Sequence, residues 1–227
     1  MTRGAVAPAH PGRAPTAWVK GVQASGAGRK IIAGGLDVKA WLAAVPSVDS
    51  VRPGMCPCCE RAGHPAGQQF GIIGHGLRER QQRGPLVAGG APQMVTVQVR
   101  RYACKCGAIL MVVPRETLRG RLYTVSAVTW ALALFGVEHS SPSDVRRRTS
   151  PWSIVGATAA AGWATLRRWV RAVRALRLLS KVRPMPPDFT DRQVAERAAM
   201  TAAAHAPPSL ATLAISSRAF AGGAHAA

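Results

Sequence analysis

The residues best able to do chemistry are five cysteines in two short clusters. Cys56, Cys58 and Cys59 lie in the segment CPCCE, and Cys104 and Cys106 lie in ACKCG. Structural Zn²⁺ sites take four tetrahedral ligands, and a zinc ribbon supplies them as two knuckles from separate turns. The spacing therefore predicts Zn²⁺ as cofactor, with Cys56, Cys59, Cys104 and Cys106 as its ligands. Cys58 is the spare thiol.

Other interpretations of the cysteines remain open from the sequence alone. His64 or His75 could replace one thiolate, because imidazole is also a common zinc ligand. Free cysteines and a redox C-x2-C pair are further alternatives, although no βαβ pattern flanks the motif. A catalytic zinc needs an open position, which four thiolates do not leave. A structural metal is favoured because a small sheet has little core, and bound metal supplies on the order of 10 kcal/mol of folding free energy.

Arginine is the second residue type with a chemical pattern. The chain of 227 residues carries 30 Lys and Arg against 10 Asp and Glu, which is a net charge of +20. Neutralising phosphates releases condensed counterions, so this excess predicts a polyanionic partner, preferably nucleic acid. A membrane is the weaker candidate, because apolar runs such as residues 126–137 are too short to span a bilayer. Together with clustered thiols and no apolar signal-peptide core, these features predict a cytoplasmic, nucleoid-associated protein.

The segment GATAAAGWATLRRWVRAVRALRLLS is typical of two helices joined by a glycine turn, which is the sequence form of a helix-turn-helix. The second helix is predicted to begin near Trp163 or Ala164. Its apolar side chains recur at spacings of three and four, so they are expected to face the core. These positions are Leu166, Trp169, Val173 and Leu176, with Val170 at the edge.

Basic residues occupy the other side of this predicted helix. A recognition helix enters the major groove by its N-terminal residues, so the early positions are candidates for base edges or phosphates and the later ones for the DNA backbone. The early positions are Thr165, Arg167, Arg168 and Arg171, and the later ones are Arg174 and Arg177. Arg146, Arg147 and Arg148, after a predicted helix start at SPSD, form another phosphate-contact cluster. A solvated basic face is the alternative for both groups.

The acidic residues do not indicate an active site. An RNase-H-like transposase needs three carboxylates that converge on two Mg²⁺ ions. None of the ten acidic residues lies in a run typical of the central strands of such a core. We therefore expect that the chain alone catalyses no reaction.

These candidate sites require elements that position them, and the patterns predict an α+β chain. A small zinc-ribbon sheet is expected at 50–117 and a helix-turn-helix region at 121–181. Strands are predicted at 70–76, 94–102 and 108–114, which places the second cysteine cluster at a hairpin turn. The remaining predictions are a disordered basic tail at 1–35, a short helix and linker at 36–49, a C-terminal helix at 188–206 and a flexible tail at 207–227.

The order of the motifs CPCCE, GHGLRER, VQVRRYACKCGAILMVVP and ATLRRWVR resembles a bacterial transposase-like family, the insertion-sequence-associated DNA-binding proteins. In that family an N-terminal zinc ribbon precedes a helix-turn-helix, and the resemblance covers roughly residues 45–225. It implies that the same four cysteines are ribbon ligands and that Thr165, Arg168, Trp169 and Arg171 lie on the recognition helix. The chain departs from the family at Cys104-Lys105-Cys106, where ribbons usually have two residues between the cysteines.

The combined prediction is a zinc-stabilised protein of mobile-element origin that binds double-stranded DNA, either sequence-directed or general, without catalysis of its own. One alternative is the recognition half of a split transposase, whose partner would be a separate catalytic chain. A second alternative is an RNA- or protein-binding zinc-ribbon module. It ranks lower because Phe70 and Tyr102 are the only aromatic candidates in the ribbon for stacking on single-stranded bases.

Overall fold

A computed structural model describes residues 29–67, 69–152 and 162–227, and these residues form a mixed α+β structure, as the sequence predicts. One four-stranded sheet has the strand order β1-β4-β3-β2. The strands are β1 (Lys30–Ala33), β2 (Ile72–Gly84), β3 (Gln93–Cys104) and β4 (Ile109–Val113). The β2–β3 and β3–β4 pairs are antiparallel, whereas β1 pairs in parallel with β4. The tight turn between β3 and β4 confirms the predicted hairpin.

The strand β1 lies inside the stretch 1–35, for which the sequence predicts a disordered tail. Ile31 and Ile32 are half-buried and pair with Met111 and Val112 of β4. The prediction is wrong for residues 30–33, because the open edge of β4 offers them backbone hydrogen-bond partners that are remote in sequence. Residues 1–28 lie outside the described part of the chain.

A short helix, α1 (Val38–Ala43), packs on the sheet within the predicted helix and linker. Asp37 caps its first turn by accepting a hydrogen bond from the Ala40 N–H group at 2.7 Å. Trp41 is fully buried, and its indole N–H donates to the Gln98 carbonyl oxygen of β3 at 2.7 Å. This helix therefore covers one face of a sheet that has little other core.

The remaining described helices follow the sheet. They are α2 (Val125–Gly136), α3 (Pro142–Thr149), α4 (Ala164–Arg174), α5 (Asp191–Ala204) and α6 (Ile215–Ala226), with a short 3-10 turn at Pro208–Leu210. Side-chain oxygens of Thr124, Ser141 and Thr190 cap α2, α3 and α5. The helix α5 lies within the predicted C-terminal helix. Among the described helices, none has the length and apolar character needed to cross a membrane.

The helix α6 occupies residues that the sequence predicts to be a flexible tail. Its glycines are the reason that it packs, since they bring backbones into close contact. A Cβ atom at Gly222 would collide with the Ala202 carbonyl oxygen of α5, and one at Gly223 would lie 2.5 Å from Thr129 Oγ1 of α2. The Thr129 hydroxyl also donates to the Ala219 carbonyl oxygen at 2.7 Å. The sequence is rich in Gly and Ala, which suggested a flexible tail. In the structure these small residues form the surface through which α6 packs against α2 and α5.

The helix α4 is confirmed as an amphipathic element, but it is shorter than predicted. Leu166, Trp169, Val170 and Val173 are buried. Leu176, predicted to face the core, is 47% exposed because α4 ends at Arg174 and the backbone at Leu176 has a positive φ of 52°. The first helix of the predicted helix-turn-helix is the small-residue segment that ends at Gly162, and its residues before Gly162 lie outside the described residues, so that motif stays a prediction.

Candidate metal centre

Two backbone turns bring four cysteine thiols together at one end of the sheet. The Sγ atoms of Cys56, Cys59, Cys104 and Cys106 all lie within 4.8 Å of one another. Cys56 Sγ is 3.8 Å from Cys106 Sγ, and Cys59 Sγ is 3.6 Å from Cys104 Sγ. A tetrahedral ion with metal–sulfur bonds of about 2.3 Å requires sulfur–sulfur edges of about 3.8 Å. The four thiols could therefore hold a metal ion.

The first knuckle is built by the turn Cys56–Glu60. The Glu60 N–H group donates to the Cys56 carbonyl oxygen at 2.8 Å, and the Cys56 N–H group donates to the Arg61 carbonyl oxygen at 2.9 Å. The Cys58 N–H group points at Cys56 Sγ at 3.5 Å. Glu60 has a positive φ of 56°, which closes the turn tightly enough to return Cys59 toward Cys56.

The second knuckle is the turn between β3 and β4. The Gly107 N–H group donates to the Cys104 carbonyl oxygen at 2.9 Å, and the Cys104 N–H group donates to the Ala108 carbonyl oxygen at 2.9 Å. Gly107 has a φ of +87°, a conformation that glycine adopts at little cost. This tight turn presents Cys104 and Cys106 together although only one residue separates them.

The two knuckles are held against each other by the start of β2. The Lys105 N–H group donates to the Gly71 carbonyl oxygen at 3.3 Å, and the Gly71 N–H group donates to the Gly63 carbonyl oxygen at 3.2 Å. Gly71 leaves no space for a Cβ atom, which would collide with the Ala62 carbonyl oxygen. The thiol cluster therefore depends on backbone contacts between segments about 40 residues apart as well as on the cysteine spacing.

The environment shifts the pKa values of Cys56 and Cys104 in opposite directions. At Cys56, burial acts to raise the pKa, but hydrogen bonds from the Cys58 and Cys59 backbone and to neighbouring thiols outweigh it and lower the pKa to about 7. At Cys104, burial raises the pKa to about 12, and the hydrogen bonds with the other three thiols add to this effect. A bound cation would favour the ionised form of all four thiols, including Cys104, because its positive charge stabilises the thiolates.

The alternative ligands lie elsewhere. Cys58 is exposed and does not belong to the group of four thiols. The His64 ring stacks on Phe70 with centroids 4.6 Å apart, and the Arg52 guanidinium lies 4.1 Å from the Phe70 centroid. His75 is an exposed residue of β2. Within the described ranges, the four cysteines are the one group of three or more His, Cys, Asp or Glu side chains close enough to share an ion.

The basic face of α4 is the second candidate site. Arg167, Arg168 and Arg171 are exposed, and Thr165 is half-exposed in the first turn. Residues three and four apart share one side of a helix, so Arg171 lies beside both other arginines. The opposite side of α4 is anchored by an aromatic cluster in which Trp169 lies 5.0 Å from both Tyr123 and Trp163, measured between ring centroids. The arginine face is therefore on a helix whose opposite side is packed against the aromatic cluster.

Arg174 and Arg177, which the sequence predicts to contact the DNA backbone, have different surroundings in the structure. The Arg174 guanidinium donates to the Phe189 carbonyl oxygen at 2.6 Å and lies 3.4 Å from an Asp191 carboxylate oxygen, so it ties α4 to the start of α5. Arg177 is exposed but lies beyond the end of α4. Arg174 therefore has a structural role, and Arg177 is separated from the helical face on which it was predicted.

The predicted cluster on α3 is partly neutralised within the chain. Arg147 pairs with Asp144 at 2.7 Å, and Arg148 pairs with Glu138 at 3.2 Å. Arg148 also lies over the Trp130 ring at 5.0 Å, while Arg146 is half-buried. Contacts of these three arginines with phosphate stay a prediction.

Sequence reasoning missed a group of arginines on β2. The predicted strand stopped at residue 76, because the polar segment RERQQR that follows does not alternate with apolar residues. The strand continues to Gly84, and its spacing of two places Arg78 and Arg80 on one face. The signal that could have identified them is this alternation of arginines with Glu79 and Gln81.

Comparisons of the chain with protein-family models, with curated proteins and with solved structures find no match.

Proposed function

We propose that the protein is a zinc-stabilised, double-stranded DNA-binding module of mobile-element origin, with no catalytic activity of its own. The observation that carries the proposal is α4, an amphipathic helix with a buried apolar side and an exposed arginine side. The mobile-element origin is drawn from the resemblance of the cysteine motifs and the ATLRRWVR segment. Titration of an enriched duplex beside a scrambled one measures the sequence specificity of binding.

The dimensions and surroundings of α4 suit a major groove. This 11-residue helix is about 10–12 Å across with its side chains, and the B-DNA major groove is about 12 Å wide. The N-cap residue is Trp163, whose side chain makes no capping hydrogen bond. The backbone N–H groups of the first turn are thus not satisfied by a capping side chain, and such groups bind phosphate oxygens well.

The charge balance of this face also favours DNA. Neither Arg168 nor Arg171 forms an ion pair with a described residue, in contrast to Arg147 and Arg148 of α3. Arginine forms bidentate hydrogen bonds to guanine edges and to phosphates, which a solvated lysine does less well. These two guanidinium groups are therefore available for an external anion.

Zinc is the metal that the thiol set supports best. Four thiolates in a tetrahedral arrangement are typical of Zn²⁺ or of an iron–sulfur site. The sulfur–sulfur distances of 3.6 and 3.8 Å match the edges expected around one ion. The ion would be structural, because all four of its positions are filled by protein ligands. Elemental analysis of the purified chain should return one zinc and no iron per molecule.

The DNA-binding proposal is tested with the double variant Arg168→Gln/Arg171→Gln. Genomic fragments retained by the wild-type protein are sequenced, and a duplex with the enriched motif is titrated beside a scrambled duplex. The double variant should bind the enriched duplex more weakly by about 1–3 kcal/mol per base contact, or about 5- to 150-fold. An equal loss on both duplexes, with a shallower salt dependence, would assign the arginines to phosphates.

The matched control is Arg183→Gln/Arg197→Gln, which removes the same charge from exposed arginines outside α4. It separates a local contact from a general loss of positive charge. Wild-type protein that binds neither duplex, or an α4 variant that binds like this control, would reject the proposal. Preferential retention of RNA would favour the RNA-binding alternative.

A further inference from the structure

A second basic site lies on the sheet, away from the residues of α4. A cleft of about 450 Å³ has Val99 and Met111 among its lining residues. Four arginines also line it. They are Arg29, which precedes β1, Arg78 and Arg80 on β2, and Arg121, which precedes α2. Segments remote in sequence therefore place four arginine residues along one cleft.

The sheet and its connection to α2 determine this arrangement. Arg78 is the cross-strand partner of Val99 and Arg80 that of Val97, so both arginines share the face of these two buried valines. The Arg80 guanidinium donates to the Leu118 carbonyl oxygen at 2.9 Å and to that of Arg121 at 3.4 Å. Arg80 thus fixes the segment that carries Arg121 beside β2.

The cleft has an excess of positive charge, because four arginines and one acidic residue, Glu79, line it. Within the described residues, none of the four arginines forms an ion pair, whereas Arg147, Arg148 and Arg174 each do. The Glu79 carboxylate accepts a hydrogen bond at 3.0 Å from Gln98, its cross-strand partner, and offsets only part of the positive charge.

Burial and the nearby charge of Arg78 lower the pKa of Arg80, and Arg80 Nε is buried without a hydrogen-bond partner. Placing like charges together in a partly buried cleft costs free energy unless an anion is bound.

We propose that this cleft binds phosphate groups of a nucleic-acid backbone, as a contact separate from α4. The planar guanidinium group matches the geometry of phosphate oxygens and binds them through two parallel hydrogen bonds. A cleft with several such groups and an apolar floor grips the backbone without reading bases, because phosphate contacts carry no direct sequence information. The inference rests on the proposed nucleic-acid function and adds a second surface to it.

The test variant is Arg78→Gln/Arg121→Gln. It leaves Arg80 intact, because Arg80 holds two carbonyl groups and its loss would disturb the fold. Arg183→Gln/Arg197→Gln again removes the same charge elsewhere. The slope of log affinity against log salt, measured with the scrambled duplex, should be shallower by about 1.8 in the cleft variant than in wild type, for two lost phosphate contacts at about 0.9 each. The control should retain the wild-type slope.

A titration with inorganic pyrophosphate, followed by NMR of the arginine Nε–H signals, tests the cleft without DNA. Shifts of the Arg78, Arg80 and Arg121 signals in wild type, together with loss of the Arg80 shift in the cleft variant, would support phosphate binding. If the cleft variant and the control variant show the same salt-dependence slope with the duplex, the cleft does not contact the nucleic-acid backbone. This conclusion would hold even if pyrophosphate binds to the cleft. Absence of pyrophosphate shifts together with an unchanged slope would overturn the phosphate site. If wild type binds no duplex, the proposed function and the backbone assignment both fail, and the pyrophosphate result alone decides whether the cleft binds phosphate.

Discussion

The sheet region, which contains β1–β4 and α1, and the helical region, which contains α2–α6, have cores of different kinds. Among the residues that the structure describes, the buried apolar cluster of the sheet region contains 13, and two of them are the thiol-cluster members Cys56 and Cys104. The helical cluster contains 27 described residues, including Trp130, Trp163 and Trp169. The smaller core is completed by the cysteines themselves, so a bound metal is expected to contribute most of its stability. The larger core can persist through packing alone.

The helical region instead depends on small side chains. Alanines of α2, α5 and α6 are buried, and glycines occupy the positions of closest backbone approach. At Gly136, an added Cβ atom would collide with the backbone N atom of Glu196. Such an interface gains from many van der Waals contacts and tolerates little added volume. The two regions should therefore respond to opposite kinds of change: loss of ligands in one and gain of volume in the other.

The largest effect is expected from breaking the thiol cluster. Cys104→Ser should abolish metal binding and unfold the sheet region, because structural zinc supplies on the order of 10 kcal/mol of folding free energy. Hydrogen exchange should accelerate in β2, β3 and β4 while α2 and α5 stay protected. Zinc content by elemental analysis and exchange by mass spectrometry measure the two effects.

Cys58→Ser is the matched control, since this thiol is exposed and lies outside the cluster. It should keep one metal ion and wild-type exchange. Full metal content in Cys104→Ser would disprove the ligand set. Loss of protection from hydrogen exchange throughout the helices would show that the helical core does not persist without the thiol cluster.

The next largest effect should come from the aromatic anchor of α4. Trp169→Ala should lower the free energy of unfolding by about 3–5 kcal/mol, because it leaves a cavity beside Tyr123 and Trp163. Urea unfolding followed by far-UV circular dichroism measures the loss, and metal content should not change. Trp169→Phe keeps an aromatic ring and should lose less. A metal-free Trp169→Ala protein would contradict the independence of the two cores.

Added volume should be costly in the small-residue interface. Gly222→Ala should destabilise the chain by about 1–3 kcal/mol, because the new methyl group collides with the Ala202 carbonyl oxygen and forces α6 away from α5. Gly35→Ala is the control, since nothing lies within 4 Å of a Cβ atom at that position. Thermal unfolding of both variants gives the comparison. Equal melting temperatures would mean that α6 is not packed as described.

The smallest predicted effect concerns the junction between the regions. Glu116 accepts a hydrogen bond from the Val38 N–H group at 3.0 Å through its side chain and one from the Val125 N–H group at 2.8 Å through its carbonyl oxygen. Burial raises the pKa of this carboxyl group. The folded chain therefore binds the proton more tightly than the unfolded chain. Its stability should fall as pH rises from the ordinary glutamate value of 4.5 through the raised pKa, and then stay level.

Glu116→Gln should remove this component of the pH dependence. Urea unfolding at acidic and neutral pH should show that wild type loses more stability on raising the pH than the variant does. Glu196→Gln, at an exposed position, should follow wild type. The opposite sign, with wild type gaining relative to Glu116→Gln as pH rises, would contradict the assigned cause.

Local patterns predicted much of this chain, and non-local contacts account for the differences. The apolar spacing of Leu166, Trp169 and Val173 identified the buried face of α4, because a helix repeats within a few residues. The end of α4 was missed, since Leu176 continues the same spacing although the backbone turns before it. The segments 30–33 and 215–226 have compositions that alone indicate disorder. They are ordered because β4 and the α2–α5 surface, both distant in sequence, provide their partners.

Residue types and spacings alone predict the chemistry that this chain can support: two cysteine clusters with ligand spacing, a large excess of basic residues and one strongly amphipathic helix. Tertiary contacts determine which of these groups act together. They bring the four predicted ligand thiols within 4.8 Å of one another, place Arg174 in an internal contact, and bring Arg29, Arg78, Arg80 and Arg121 to one cleft. The physical reason is that ligand geometry and charge repulsion depend on distances of a few ångströms, and strand pairing sets these distances between residues that are far apart in the chain.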